Sequence, residues 1–161
     1  MNHARISLAL MAAIAIGGTA CRPAAAEGPH VKIQRSEQKG EWVALTISVA
    51  SDEPAEVEFR PGEVWLELAD GSKAEVWRWS TFFSEASANL KKGDRITQVG
   101  TDIGGEVLAL SFLELQPGSE ATIVVPLTPG ASQEAKLFFQ SPSRSEPKRL
   151  QFGVLGPAPM P

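Results

Sequence analysis

The side chains able to carry chemistry are few and poorly matched. The chain of 161 residues has two His, one Cys and no Tyr. Nucleophilic catalysis needs a Ser or Cys beside a base that a third group orients. His30 stands in a Pro- and Gly-interrupted stretch, and His3 and Cys21 lie near the start, so no such set assembles. Metal ligands are equally scattered: a lone Cys excludes a cysteine zinc cluster and an internal disulfide, and Met160 lies in the C-terminal tail. Gly104-Gly105 has no Lys beside it to complete a phosphate cradle. Glu56, Glu58, Glu63, Glu67 and Glu75 offer carboxylates that would act as acid and base if paired in space. In a strand-rich chain, alternation puts such residues on the solvated face, and that is how they are read. The expectation is a protein that is not an enzyme and holds no cofactor or metal. A net charge of −4 gives no basis for nucleic-acid binding.

The elements that must position any site are strands. Val31 and Ile33 alternate with polar residues, as do Val43, Leu45, Ile47 and Val49, the clearest strand in the chain. Ser51-Asp52-Glu53-Pro54 makes a turn, and Val57 and Phe59 resume the alternation up to Pro61-Gly62. Further strands are expected at Val107–Leu113, Ala121–Leu127, Ala135–Phe139 and Leu150–Val154, separated by Pro-Gly pairs and by Ser141–Pro147. Short strands at this spacing predict an all-β, immunoglobulin-like antiparallel β-sandwich. One short helix is expected over Phe82–Lys91, where Phe82, Ala86 and Leu90 share a face and Gly93 can stop it. The sandwich is placed at residues 31–155, a tether at 21–30 and a disordered Pro-rich tail at 156–161.

One hairpin can be set to the residue. Val64–Leu68 and Ser72–Trp77 flank Ala69-Asp70-Gly71, and a three-residue loop puts Gly71 at the left-handed position that a bulged hairpin needs. Leu66 then opposes Ala74 on the core face, and Glu67 opposes Lys73 on the other face as an opposite-charge pair. In that register Trp65, Trp77 and Trp79 share the outward face. Three Trp together there form either an interaction patch or a second small core roofed by the Phe82–Lys91 helix, and the roofed arrangement is the expected one.

The N-terminus reads as an export signal. Ile6 to Ile16 are apolar apart from Ser7, a run too short for a bilayer span of about 20 residues but suited to a signal peptide. Gly18-Thr19-Ala20-Cys21 follows at the spacing of a bacterial lipobox, which predicts removal of residues 1–20 and lipidation of Cys21. The alternative is cleavage after Ala26 at Ala24-Ala25-Ala26, leaving a soluble protein. Either places the protein in the bacterial periplasm or on the outer surface, attached to the membrane in the first case.

Ala44 to Pro54, the Ala69-Asp70-Gly71 hairpin and Leu115 to Val125 together resemble the telokin-like immunoglobulin-fold domains of bacterial exported lipoproteins. The resemblance spans about residues 31–155 and implies a sandwich without catalytic residues. Locally, Glu56-Val-Glu-Phe59, Asp70-Gly71, Val76-Trp-Arg-Trp-Ser80, Phe83 and Lys92-Gly93 look like the bacterial intracellular proteinase inhibitor family, which implies inhibition of a proteinase as the alternative. The expected function is a non-catalytic interaction or envelope module, bound to the membrane through Cys21 and partnered by another envelope protein.

Overall fold

A computed structural model describes residues 26–81, 93–98, 111–115 and 119–161. Eleven strands follow in chain order: β1 His30–Lys39, β2 Trp42–Ala50, β3 Ala55–Phe59, β4 Val64–Leu68, β5 Lys73–Thr81, β6 Arg95–Thr97, β7 Ser111–Glu114, β8 Thr122–Leu127, β9 Ser132–Gln140, β10 Pro147–Phe152 and β11 Pro157–Pro159. The fold is all-β, with the strands in two sandwich-like sheets. The larger sheet runs β1-β2-β9-β5-β4-β10-β11, with β7 also on β5, and the smaller runs β3-β8-β6. All pairings are antiparallel except β6 with β8. Cα atoms of β1 and β11 come within 8 Å, so the larger sheet curls until its two ends meet. The expected helix at Phe82–Lys91 lies outside the described residues.

Period-2 alternation holds where the sequence shows it most clearly. Val43, Leu45, Ile47 and Val49 are all buried, and β2 pairs with β9 from Trp42↔Gln140 to Ala50↔Ser132 without a shift. Leu45 then meets Leu137, and Val43 meets Phe139, on the inner face. Val57 and Phe59 of β3, and Ile123, Val125 and Leu127 of β8, close the core from the smaller sheet. Burying each such side chain stabilises the fold by about 1.5–3 kcal/mol before entropic costs.

The β4–β5 hairpin has the expected register, with Leu66↔Ala74 and Glu67↔Lys73. Its loop has three residues: Leu68 N–H donates to Ser72 O at 2.9 Å, and Gly71 adopts φ +82°. The expected Glu67–Lys73 ion pair does not form. β10 lies on the other side of β4, with Arg149 opposite Glu67, and Arg149 and Lys148 take the carboxylate instead. Lys73 places its ammonium 4.0 Å from the Trp65 ring centroid.

The chain ends also differ from expectation. Gly156–Pro161, read from sequence as a disordered tail, contains β11, in which Leu150 faces Ala158 and Ala158 is buried. Prolines suit this place because they lie on an outermost strand, where few ladder donors are needed. In the tether, Glu27 is tied to the β2–β3 turn: its carbonyl accepts from Asp52 N–H at 2.9 Å, and its own N–H donates to Asp52 Oδ2 at 2.8 Å.

Candidate functional site

The three tryptophans expected on one face are divided by a bulge. On β5, Val76 pairs with Phe139 and Arg78 with Phe138, so Trp77 is an extra residue in the ladder. Trp77 and Arg78 therefore both face outward, and the alternation resumes one residue out of phase. Trp79 is thrown into the core, fully buried, and is not part of an outward patch. Its ring lies 5.6 Å from Phe152 and 6.1 Å from Phe59, and its indole N–H donates to Gln98 Oε1 at 3.2 Å. Gln98 is itself buried and donates onward to Glu134 O at 3.2 Å, so the polar atoms that Trp79 brings inside are satisfied. The core absorbs Trp79 through Phe59 and Phe152.

Trp65 is half-buried on β4, across from Glu75 and Gln151, and carries Lys73 on its ring. It does not line the cavity described next.

Trp77 instead joins a residue that the three-tryptophan patch did not include. Trp42, at the start of β2, packs against it edge to face, with ring centroids 6.4 Å apart and planes at 83°. Both remain open to solvent, Trp42 at 41% and Trp77 at 38%. Together with Phe138, Leu115, Arg78 and Glu114 they line a solvent-open cavity of about 340 Å³. Leu115 is fully buried at its base and is fixed by donating its N–H to Trp77 O at 2.8 Å. Arg78 Nη2 donates to Glu114 Oε1 at 2.8 Å across the β5–β7 ladder, which fixes the charged wall. The Lys136 ammonium stands 5.5 Å from the Phe138 ring centroid. An apolar hollow with a few placed polar groups is the usual form of a ligand site, and this one is at the small end of the common range of about 300–1,000 Å³.

Trp42 and Phe138 had a signal in the sequence. Each is an aromatic residue in the outward phase of a strand whose inward phase is plain: Val43 and Leu45 beside Trp42, Leu137 and Phe139 beside Phe138. What alternation does not carry is that the two strands are neighbours and that a third strand bulges beside them.

Four of the five carboxylates singled out in the sequence are engaged by neighbouring groups, and Glu75 is exposed on β5. Glu56 and Glu58 on β3 share Arg95 of β6, Glu67 holds Lys148 and Arg149, and Glu63 Oε2 accepts the Arg60 N–H at 3.0 Å. Hydrogen bonding to Lys148, with Arg149 adding to it, holds the Glu67 carboxyl below the usual carboxylate range. Ser72, through its hydroxyl and its N–H, does the same for Asp70. Among the described residues, no group of three His, Cys, Asp or Glu is placed to hold a metal, and no helix is long and apolar enough to cross a membrane. Cys21 lies outside the described residues. Compared with known proteins, the chain matches no family model, no curated protein and no solved structure. The functional reading therefore rests on the chain's own geometry.

Proposed function

We propose that the protein is an exported, lipid-anchored, non-catalytic interaction module that captures a partner in the Trp42–Trp77 cavity. The observation that carries this reading is the pair of large rings left open to water around a concave apolar surface. Isolated exposed apolar side chains are ordinary, but Trp clustered around a hollow is the composition of binding hot spots.

The arrangement of the poles supports the same reading. Glu27 is pinned to Asp52, beyond the far end of β2 from Trp42. With Cys21 lipidated, the six residues to Glu27 reach at most about 20 Å, so the Asp52 pole stays near the bilayer. The cavity lies at the other end of β2, about 26 Å along a nine-residue strand, and is presented away from the membrane.

Two measurements test this. A photocrosslinker at Gln140, across the ladder from Trp42, should capture a discrete envelope partner, and Trp42→Ala should abolish the capture. A crosslinker at Asp52 should not capture it. Equal capture from both positions would sink the cavity as the site. For the anchor, the wild type should incorporate labelled palmitate, and Cys21→Ser should move the protein from the membrane to the soluble fraction. Absence of label would favour cleavage after Ala26.

A further inference from the structure

The fold takes hold of the chain at Glu27, ahead of β1, which starts at His30. The Glu27 N–H donates to Asp52 Oδ2 at 2.8 Å, and the Glu27 carbonyl accepts from Asp52 N–H at 2.9 Å. Among the described residues the other carboxylate oxygen, Asp52 Oδ1, accepts nothing. The surroundings are short of positive charge. Residues 26–31 and 50–55 carry Glu27, Asp52 and Glu53 and no Lys or Arg, and His30 Nδ1 lies 3.9 Å from the Glu27 carboxylate. A single amide proton therefore occupies a carboxylate with room for more, in a setting that favours a cation.

The peptide bond just before this nitrogen is Ala26–Glu27. Ala24-Ala25-Ala26 puts small side chains at the first and third positions ahead of that bond, the pattern accepted by peptidases that cut after A-x-A. Ala26 and Glu27 are both exposed, and the bond lies ahead of the first strand, so breaking it removes no ladder pair. The two hydrogen bonds to Asp52 are at the surface and open at low cost, which gives a peptidase access. Hydrolysis adds water across the bond: Ala26 keeps a carboxylate, and Glu27 N leaves as a primary amine that takes up a proton. With an ordinary pKa of about 7.7–8.0, such an amine is charged at neutral pH. The nitrogen that becomes this ammonium is already 2.8 Å from Asp52 Oδ2, and it brings three donors where the amide brought one.

We propose that the Ala26–Glu27 bond is a processing site and that Asp52 is the receptor for the amino terminus the cut creates. An envelope peptidase with pockets for small residues makes the cut after Cys21 has been lipidated, and the domain leaves the membrane with Glu27 as its first residue. That order of events rests on the anchored reading of Cys21, whereas the pairing of Glu27 N with Asp52 does not. The same two residues hold the chain before and after the cut, so release requires no rearrangement of the sandwich.

The full chain, expressed in a bacterial host with labelled palmitate, is separated into membrane and soluble fractions, and the first residue of each form is read by mass spectrometry. The membrane form should carry the label at Cys21, and the soluble form should carry none and begin at Glu27. Ala26→Phe, which puts a bulky side chain directly before the cut, should abolish the soluble form and leave the label unchanged. Asp52→Asn tests the receptor, because it retains an acceptor oxygen but loses the charge. It should lower the thermal midpoint of the soluble form by a few degrees, an effect that molar salt removes. Added to the uncut Ala26→Phe chain in detergent, it should leave the midpoint nearly unchanged. A soluble form that begins elsewhere, or none at all, overturns the processing site. Equal shifts in the cut and uncut chains overturn the receptor, since Asp52 would then only staple the turn. A wild type without label, in which every chain begins at Glu27, sinks the lipid anchor and leaves the processing site and the receptor standing.

Discussion

Trp77 and Trp79 stand two residues apart on β5 yet face opposite sides of the sheet, one 38% exposed and the other fully buried. In a regular strand, residues i and i+2 share a face. The single extra residue between the Val76↔Phe139 and Arg78↔Phe138 pairs reverses the phase, and that reversal makes both the cavity and the aromatic core.

The two tryptophans should therefore differ sharply in their effect on stability. Trp79→Ala removes a ring packed on Phe59 and Phe152 and should cost about 3–5 kcal/mol. Trp77→Ala should cost less than about 1 kcal/mol, because its ring is part-solvated. Urea denaturation of both variants measures the difference. Similar losses would mean that the strand is not bulged.

Ile47 and Thr46 probe the alternation of β2 in the same way. Ile47 is fully buried and Thr46 only partly, so Ile47→Ala should cost about 2–5 kcal/mol and Thr46→Ala a small fraction of that. A large loss at Thr46 would show that its side of β2 is covered as tightly as the core.

Gly153 is a site where one methyl group should be felt. Its φ is +49°, and a Cβ there would lie 2.8 Å from Phe59 Cδ1. Phe59 cannot easily give way, since its ring packs 4.3 Å from that of Phe152 and is itself buried. Gly153→Ala should destabilise by about 1–3 kcal/mol, from overpacking together with backbone strain. A thermal midpoint equal to the wild type would contradict the tight approach.

Acid should weaken the fold in part through Glu67 and Asp70. Both carboxyls are held below their ordinary range, first by hydrogen bonds from Lys148 and from Ser72 respectively. A carboxylate whose pKa is lower in the folded state contributes stability that is fully present above the unfolded pKa, near 4. It is lost as pH falls through the lower folded value, because the unfolded state takes up the proton first. Unfolding free energy measured from pH 6 downward should decline below about pH 4, and Glu67→Gln should flatten part of that decline. An acid limb unchanged in Glu67→Gln would mean that the Lys148 and Arg149 contacts contribute nothing in solution.

Much of this protein is determined by short-range pattern. The inward phases of β2, β3 and β8 and the three-residue turn at Gly71 are all set by residues within a few positions of one another. The pleat alone sends successive side chains to opposite faces, and only particular residues tolerate positive φ, so these features needed no knowledge of neighbours. The candidate site is different. The Trp77 bulge is defined against β9, more than fifty residues away in the chain. The partners of Glu67 come from β10, and the tail is ordered by pairing with β10 rather than by its own preference, which as Gly and Pro is against regular strands. Trp42, Trp77 and Phe138 are three outward aromatics on three strands, and only the sheet order β2-β9-β5 makes them one surface. Alternation is a property of each strand by itself; which strands lie side by side, and where one carries an extra residue, is decided by how the whole sheet closes over its core.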